Sequence, residues 1–467
     1  MAIKKGQSLE LNIEKMAFGG PGIGFVDGFV LFVPKSAPGD KLRVKVYKKK
    51  KDYAEARIVE ILEPSPARIA PPCTYYPYCG GCQWQHIDYE YQLQYKAGLI
   101  REALDKMVGL DSVKIDEIIP SEMVAGYRNK MEFSFSSRRW AFPQEMPLGK
   151  EEKSFAIGLH LPGTFNKVID ITWCLLQPKE ANQILGVVRE QAKKSGLPAY
   201  DIKTHQGFWR YLTIRHSVAF GEWMVNIVSS EENPPVMKSL ADNLLQAVGN
   251  IKSIVNNVSK KRAGVAIGDY ETVVWGEATI KEKIGHYVFQ ISANSFFQAN
   301  TKGAETLYQI VDRYAGLTSR ETVLDLYSGT GTIALYLAPR AQKVIGIEIN
   351  KAAVADANRN REINGIENVS FLQGDIRDQL PLLREVPDIL IIDPPRAGMH
   401  KDVAKHIAEL AVPKLIYVSC NPVTMARDLS LLNNSYELVE IQPVDMFPHT
   451  YHVETVGLLT LRRRNKK

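Results

Sequence analysis

The sequence predicts an α/β protein: a C-terminal, mostly parallel sheet preceded by a small β-barrel and a β-rich middle. Three observations carry this. From residue 291 onward, short apolar β-branched runs alternate with stretches of helical composition, the pattern of parallel strands joined by crossover helices. Before residue 290 strands of period two dominate instead. The turn Ser328-Gly329-Thr330-Gly331-Thr332 follows the first of the C-terminal strands and leads into a helix, which is where open sheets of this kind bind nucleotide-like ligands. With 467 residues, about three domains are expected, divided here as 1–63, 64–290 and 291–467.

Residues 1–63 read as the barrel. Leu9-Glu10-Leu11-Asn12-Ile13 alternates, Gly19-Gly20-Pro21-Gly22 turns the chain, and residues 29–33, 42–46 and 56–61 add strands at barrel spacing. The Lys48-Lys49-Lys50-Lys51 run is placed in the turn before the last strand. Residues 1–62 hold 12 Lys and Arg against 7 Asp and Glu, so most of the formal net charge of +6 sits here. A basic module on a nearly neutral body points to a polyanion, most simply nucleic acid; the bland alternative is a solvated basic surface. Pro64, Pro66, Pro71 and Pro72 then predict a stiff linker.

The middle opens on Cys73-Thr74-Tyr75-Tyr76-Pro77-Tyr78-Cys79-Gly80-Gly81-Cys82. Three thiolates in this short span can ligate one metal centre, and the glycines let the backbone fold closely around it. Cys174 is the candidate fourth ligand, being the only remaining cysteine besides Cys420. Four thiolates suit structural zinc or a four-iron cluster. Zinc sites usually pair two C-x2-C knuckles and this chain has one, which favours iron–sulfur. Five cysteines are too few and too clustered for a disulfide framework and fit a reducing cytoplasm. Met1-Ala2-Ile3-Lys4-Lys5-Gly6 lacks the apolar core of a signal peptide, and no apolar run reaches the roughly 20 residues of a bilayer span.

Residues 89–107 have helical composition. Tyr127-Arg128-Asn129-Lys130-Met131-Glu132-Phe133-Ser134-Phe135-Ser136 then alternates strongly and runs on to Arg138-Arg139-Trp140. Aromatics interleaved with cations stack on unpaired bases and pair with phosphates, although an ordinary half-buried strand looks similar. More alternating strands are expected across 205–290, including Trp223-Met224-Val225-Asn226-Ile227-Val228.

In the C-terminal part, Val323-Leu324-Asp325-Leu326-Tyr327 is the first strand. Lys343-Val344-Ile345-Gly346-Ile347-Glu348 is the second, ending on an acid 19 residues past Gly329. An acid at about that offset receives a ribose hydroxyl pair in nucleoside-binding folds. The glycine turn is neither a full G-x-G-x-x-G nor a P-loop. Its shortness suits a ligand with a carboxylate rather than a pyrophosphate, and S-adenosylmethionine is such a ligand. Residues 369–372 form the third strand, followed by Gln373-Gly374-Asp375. Residues 388–392 form the fourth, ending in Asp393-Pro394-Pro395-Arg396. The fifth, Leu415-Ile416-Tyr417-Val418-Ser419, stops at Cys420, and Asn421-Pro422 breaks the chain behind it. A thiol at a strand's carboxyl end is a candidate nucleophile, weighed against a small buried hydrophobe. Residues 437–441 and 455–461 close the sheet as an antiparallel pair.

Gln298, Asp325-Leu326-Tyr327-Ser328-Gly329-Thr330-Gly331-Thr332, Asp393-Pro394-Pro395-Arg396, Ser419-Cys420-Asn421-Pro422 and His452-Val453-Glu454 occur in that order. Together they resemble the RNA (uracil-5-)-methyltransferase family. The first 63 residues resemble a TRAM domain, the OB-like RNA-binding module, and with the cysteine cluster they resemble the 23S ribosomal RNA branch. The resemblance covers essentially the whole chain. It implies an S-adenosylmethionine-dependent, Rossmann-like methyltransferase domain acting on carbon 5 of a uridine in RNA, most simply ribosomal RNA. It also implies a cytoplasmic monomer with no membrane partner. Cys420 corresponds to the nucleophile and Glu454 to the base. Gln298, Tyr327, Thr332, Glu348 and Asp375 correspond to cofactor contacts, and Asp393 to a residue between cofactor and base. Cys73, Cys79, Cys82 and Cys174 correspond to ligands of a [4Fe–4S] cluster.

The chemistry needs these residue types. Carbon 5 of uracil is a poor nucleophile until a thiolate adds at carbon 6. After methyl transfer a separate base must remove the carbon 5 proton so that the thiolate can leave. Asp393 would hold the polar edge of uracil, and His452 is a rival base. Three alternatives differ in substrate or class. One is uridine methylation in tRNA. Another is an amino-group methyltransferase, whose D-P-P-aromatic loop this chain alters with Arg396. The last is a non-catalytic RNA-binding protein with a structural metal.

Overall fold

The computed structural model describes residues 3–105, 113–146, 149, 154–262 and 264–462. They fall into two units. One comprises Met1–Pro77, Cys82–Val124 and Pro394–Lys467; the other comprises Tyr78–Gly81 and Ala125–Asp393.

In the first unit, the alternating apolar residues of the N-terminal segment form a six-stranded sheet. In spatial order its strands are Ser8–Asn12, Lys41–Lys49, Tyr53–Glu63, Phe29–Val33, Gly22–Val26 and Lys15–Met16. Their inward side chains, among them Leu11, Leu31, Val33, Leu42, Val44 and Ala56, make one buried core. The Gly22–Val26 strand was hidden in the sequence by the glycines around it. The lysine run begins earlier in the fold than expected: Lys48 and Lys49 end a strand, opposite Glu55 and Ala54. The proline segment is no free spacer. Asp40, fully buried, accepts from Ser65 N at 2.9 Å and from Arg68 Nε at 2.6 Å, tying the segment to the barrel.

The same unit holds helix Tyr89–Leu104, whose N-cap Asp88 accepts from Glu90 N; Met107, where the sequence placed its end, lies outside the described residues. Three C-terminal strands follow, with Glu454–Leu461 antiparallel to both Lys414–Ser419 and Tyr436–Val444. Lys114–Ile115 pairs parallel to the outer one.

The second unit carries an eight-stranded sheet. Its order is Tyr270–Gly276, Ile251–Val258, Trp223–Ser229, Trp209–His216, Lys130–Ser136, Ala156–His160, Val168–Asp170 and Arg139–Trp140. Two helices, Lys179–Lys194 and Pro234–Ala247, were not foreseen. The second is the crossover between the parallel neighbours Trp223–Ser229 and Ile251–Val258, a connection that parallel pairing requires. Pro234 supplies its preset φ at the first turn, and Asn233 caps it by accepting from Val236 N.

The unit's parallel strands lie in the order Val369–Gln373, Lys343–Glu348, Thr322–Leu326, Ile389–Ile392. Winding runs outward from Thr322–Leu326 in one direction and then jumps to its other side. That reversal opens a crevice at the carboxyl end of Thr322–Leu326. No described helix is long and apolar enough to cross a membrane.

Candidate active site

A narrow cavity opens in the second unit where the reversal predicts it. Gln298, Tyr327, Thr332 and Asp393 line it, together with Asp325 and Gly329. Tyr327 leaves its strand with φ +62°, a conformation a bulky residue adopts only when its surroundings hold it there. Gly331, at φ +76°, has no room for a side chain: a Cβ would stand 2.5 Å from the Phe371 ring. The glycine turn is thereby pressed against the neighbouring strands. Glu348 accepts from Gly329 N at 3.1 Å and from Asn350 N at 2.7 Å, so the acid at the second strand's end is fastened to the turn. The Thr332 hydroxyl is paired with Tyr308 Oη at 2.8 Å.

Asp375 is placed differently. It caps the short helix Ile376–Gln379, and both its oxygens engage Arg377. It is not among the residues lining this cavity.

The electrostatics of the cavity are acidic. Burial pushes the Asp393 carboxyl up to about 7. Asp325, almost fully buried, is raised as well, first by burial and then by the Asp393 and Glu348 charges. Carboxyls crowded this way favour a cationic ligand, because a positive charge relieves both burial and mutual repulsion. In the sequence Asp325 belongs to a strand and to the glycine-turn motif, with no role of its own. Its burial beside a second acid is a tertiary fact that no single motif carries.

The first unit holds the thiol. Strand Lys414–Ser419 ends directly before Cys420, and Asn421 caps helix Pro422–Leu432 by accepting from Val423 N and Thr424 N. Cys420 thus sits at a strand-to-helix junction, half-buried. Ser419 pairs with Thr455 across the antiparallel ladder. The ladder ends at that pair: Cys420 follows Ser419 as a bend, and Glu454, the residue before Thr455, opens its strand and is 5% exposed. Beside them, Arg396 Nη2 lies 3.3 Å from His452 Nε2, and Asn421 Nδ2 donates to the Arg396 carbonyl at 3.1 Å. The His452 ring is therefore engaged with a cation.

The loop before Glu454 is held by residues that sequence reasoning missed. Lys96 and Asp445, both fully buried, pair at 2.7 Å. Gln92 Oε1 accepts from His449 N, and the His449 carbonyl accepts from Gln83 N and Trp84 N. A lysine in a helix normally reads as solvated, so nothing local marks Lys96.

The four cysteines of the expected cluster divide between the units, Cys73 and Cys82 in the first and Cys79 and Cys174 in the second. Cys73 is half-buried, and Cys79, Cys82 and Cys174 are buried. Among the described residues no group of three or more His, Cys, Asp or Glu is arranged to hold a metal ion. The local chemistry around Cys79 does suit a thiolate: Gly81 N donates to Cys79 Sγ at 3.4 Å. A Cβ on Gly80 would stand 2.7 Å from the His160 carbonyl, so that turn needs glycine.

Comparison with known proteins bears on this arrangement. Family models match at three places: a TRAM domain at residues 3–59, tRNA (uracil-5-)-methyltransferase at 236–376 and a methyltransferase domain at 317–446. An uncharacterized RNA methyltransferase of Chlorobaculum tepidum is 40% identical over 430 residues, covering 90% of this chain and 89% of its own. One of Halalkalibacterium halodurans is 37% identical over 464 residues, covering 98% of each. Among solved structures, the tRNA (uracil-54, C5)-methyltransferase of Pyrococcus abyssi, in complex with S-adenosyl-L-homocysteine, is 30% identical with a TM-score of 0.75. It covers 96% of this chain and 99% of its own. The fold is that of S-adenosylmethionine-dependent methyltransferases behind an N-terminal TRAM domain, and the chain belongs to the RNA (uracil-5-)-methyltransferase family.

Proposed function

We propose that this protein transfers a methyl group from S-adenosylmethionine to carbon 5 of a specific uridine in RNA, through a covalent adduct between Cys420 and carbon 6. The ladder that ends at Ser419 and Thr455, the immediate chain neighbours of Cys420 and Glu454, is the observation that carries the reading. The acidic cavity supports the cofactor: its carboxyls suit a ligand bearing an ammonium and a sulfonium. Gln298, Tyr327, Thr332, Asp393 and Glu348 would hold it, with Asp375 reaching it only by releasing Arg377. The cofactor supplies an electrophilic methyl group.

The protein's own residues do the rest. The Cys420 thiolate adds to carbon 6 and turns the ring into an enolate. Carbon 5 then takes the methyl group. The Glu454 carboxylate removes the carbon 5 proton, and the electron pair of that bond expels the thiolate. Asp393 would hold the polar edge of uracil through its carboxyl group.

The test separates the steps. Cys420→Ala should abolish methylation and leave no covalent RNA complex. Glu454→Gln should add the thiolate and transfer the methyl group but then stall. That leaves a denaturation-resistant protein–RNA band labelled from the cofactor methyl. Normal turnover by Glu454→Gln would reassign the base to His452.

Ribosomal RNA of the 23S class is the substrate we favour, on the resemblance of the TRAM and cysteine segments to that branch. A second substrate, a tRNA uridine, is favoured by the name and coverage of the Pyrococcus abyssi neighbour. Mapping the labelled base in total RNA decides between them. We also propose that Cys73, Cys79, Cys82 and Cys174 ligate a [4Fe–4S] cluster, on their spacing and soft-donor chemistry; no catalytic step is assigned to it. Anaerobically purified protein should then be brown, with about four irons per chain. Stoichiometric zinc without iron would refute this.

A further inference from the structure

A second cavity in the second unit shares no lining residue with the cofactor cavity. Its volume is about 670 Å³, within the range of about 300–1,000 Å³ of sites that enclose a small ligand or a nucleotide. Its floor is the wet face of the sheet around Ser134. That residue lies across from Tyr211 on one side and Gly158 on the other. Alternation sends Phe133 and Phe135 into the core and leaves Glu132, Ser134 and Ser136 facing the cavity. Ser134 Oγ is paired with His160 Nε2 at 2.9 Å.

One wall is built and rigid. The Arg210 guanidinium, almost fully buried, lies 4.2 Å over the Tyr200 ring and donates to the Ser259 carbonyl at 2.6 Å. Asp201 gathers its own loop by accepting from Lys203 N and Ser137 Oγ, and it pairs with Arg138 at 3.1 Å. The opposite wall carries Phe165, 74% exposed. Lys203 and Arg262 complete the lining as exposed cations, and neither makes an ion pair among the described residues.

This combination has one chemical reading. An exposed aromatic ring offers a stacking platform. A polar floor offers donors and acceptors to a base edge. Two cations without ion-pair partners suit phosphates. A buried guanidinium–aromatic stack keeps the wall in shape before any ligand arrives. Duplex RNA presents no free base to such a concavity, whereas an unstacked nucleotide fills it. We propose that this cavity takes an unstacked nucleotide of a single-stranded segment of the RNA substrate, with its base on Phe165 and its phosphates on Lys203 and Arg262. The proposal rests on the chain's membership of the RNA methyltransferases and not on the roles given to Cys420 and Glu454.

The test uses the full-length protein and short fluorescent oligouridylate and oligoadenylate, with a blunt RNA hairpin stem as the duplex control. Phe165 and Lys203 are exposed, so substituting them spares the core. Phe165→Ala should weaken binding of both oligonucleotides about tenfold, since stacking tolerates any base. Lys203→Glu should weaken it as much and lower the salt dependence by about 0.7 per lost phosphate contact, with Lys203→Arg restoring it. Binding to the stem and to S-adenosylhomocysteine should not change. Unaltered oligonucleotide affinity in both variants would overturn the proposal. An equal loss on stem and single strand would do so too. So would uridine monophosphate filling the site without being displaced by oligonucleotide, which would make it a free-nucleotide site. Oligonucleotide binding is read without turnover, so a failure of the uridine-methylation reading leaves this test intact.

Discussion

Asp393 shows how one residue's environment becomes measurable. Its carboxyl is raised from an ordinary 3.8 to about 7 by burial. The folded protein therefore keeps a proton between roughly pH 4 and 7 that the unfolded chain releases. Bound protons in excess on the folded side mean that stability falls as pH rises through that window and levels off above it. The protein should lose resistance to urea from pH 5 to 7, and Asp393→Asn should flatten that slope. A slope unchanged by the substitution would place the titrating group elsewhere. At this scale the strand ends before Cys420 and Asp393 were legible, because breakers mark both: Asn421-Pro422 after Cys420, Pro394-Pro395 after Asp393. Lys96 and Asp445 were not, since burial of a charge is decided by what packs over it.

At the scale of elements, the loop between strands Tyr436–Val444 and Glu454–Leu461 depends on helix Tyr89–Leu104. The fully buried Lys96–Asp445 pair joins them, and Lys96 also donates to the Phe447 carbonyl at 3.1 Å. Breaking one side of a buried pair strands a charge and costs about 3–5 kcal/mol, whereas replacing both by apolar residues of similar volume is far milder. Lys96→Met should therefore lower unfolding stability by that amount. Lys96→Met with Asp445→Leu should recover most of it in denaturant titration, and a double variant as unstable as the single would argue against the pairing. Gln92 holds the backbone on the same loop at His449. Gln92→Ala should reduce methyl transfer several-fold with S-adenosylhomocysteine affinity unchanged, because Glu454 follows His449 by five residues. A loss of cofactor affinity would instead mean a broader disruption.

At the scale of the molecule, the basic N-terminal module is built into its unit rather than tethered to it. Met16 and Ala37 share a buried cluster with Trp84, Ile87 and Leu99, and Phe18 and Tyr451 pack against it. Deleting the module would strip that cluster, so its role in RNA binding is better tested by charge. Lys48 is held by Glu55 at 2.5 Å, which leaves Lys49, Lys50 and Lys51 as the lysines to replace. Changing these three to Gln should weaken binding to long RNA and reduce the salt slope by up to about two, if each contacts one single-stranded phosphate. An unchanged slope would mean the barrel's surplus charge only solvates it.

The succession of the C-terminal strands along the chain, the glycine turn and the junction at Cys420 were determined by the sequence alone, because period, breakers and caps act between near neighbours in the chain. Helix Lys179–Lys194 was legible in the same way and was overlooked. Ala181, Ile184, Leu185, Val188 and Ala192, all buried, recur at helical spacing. Other features belong to the tertiary structure. Insertion of Glu454–Leu461 between two earlier strands sets the ladder that ends at Ser419 and Thr455, the chain neighbours of Cys420 and Glu454. Burial drives Asp325 and Asp393 toward their protonated forms. Packing against the C-terminal loop takes Lys96 out of water. Each depends on residues tens to hundreds of positions apart meeting in a low-dielectric interior, and no local pattern records which groups meet there.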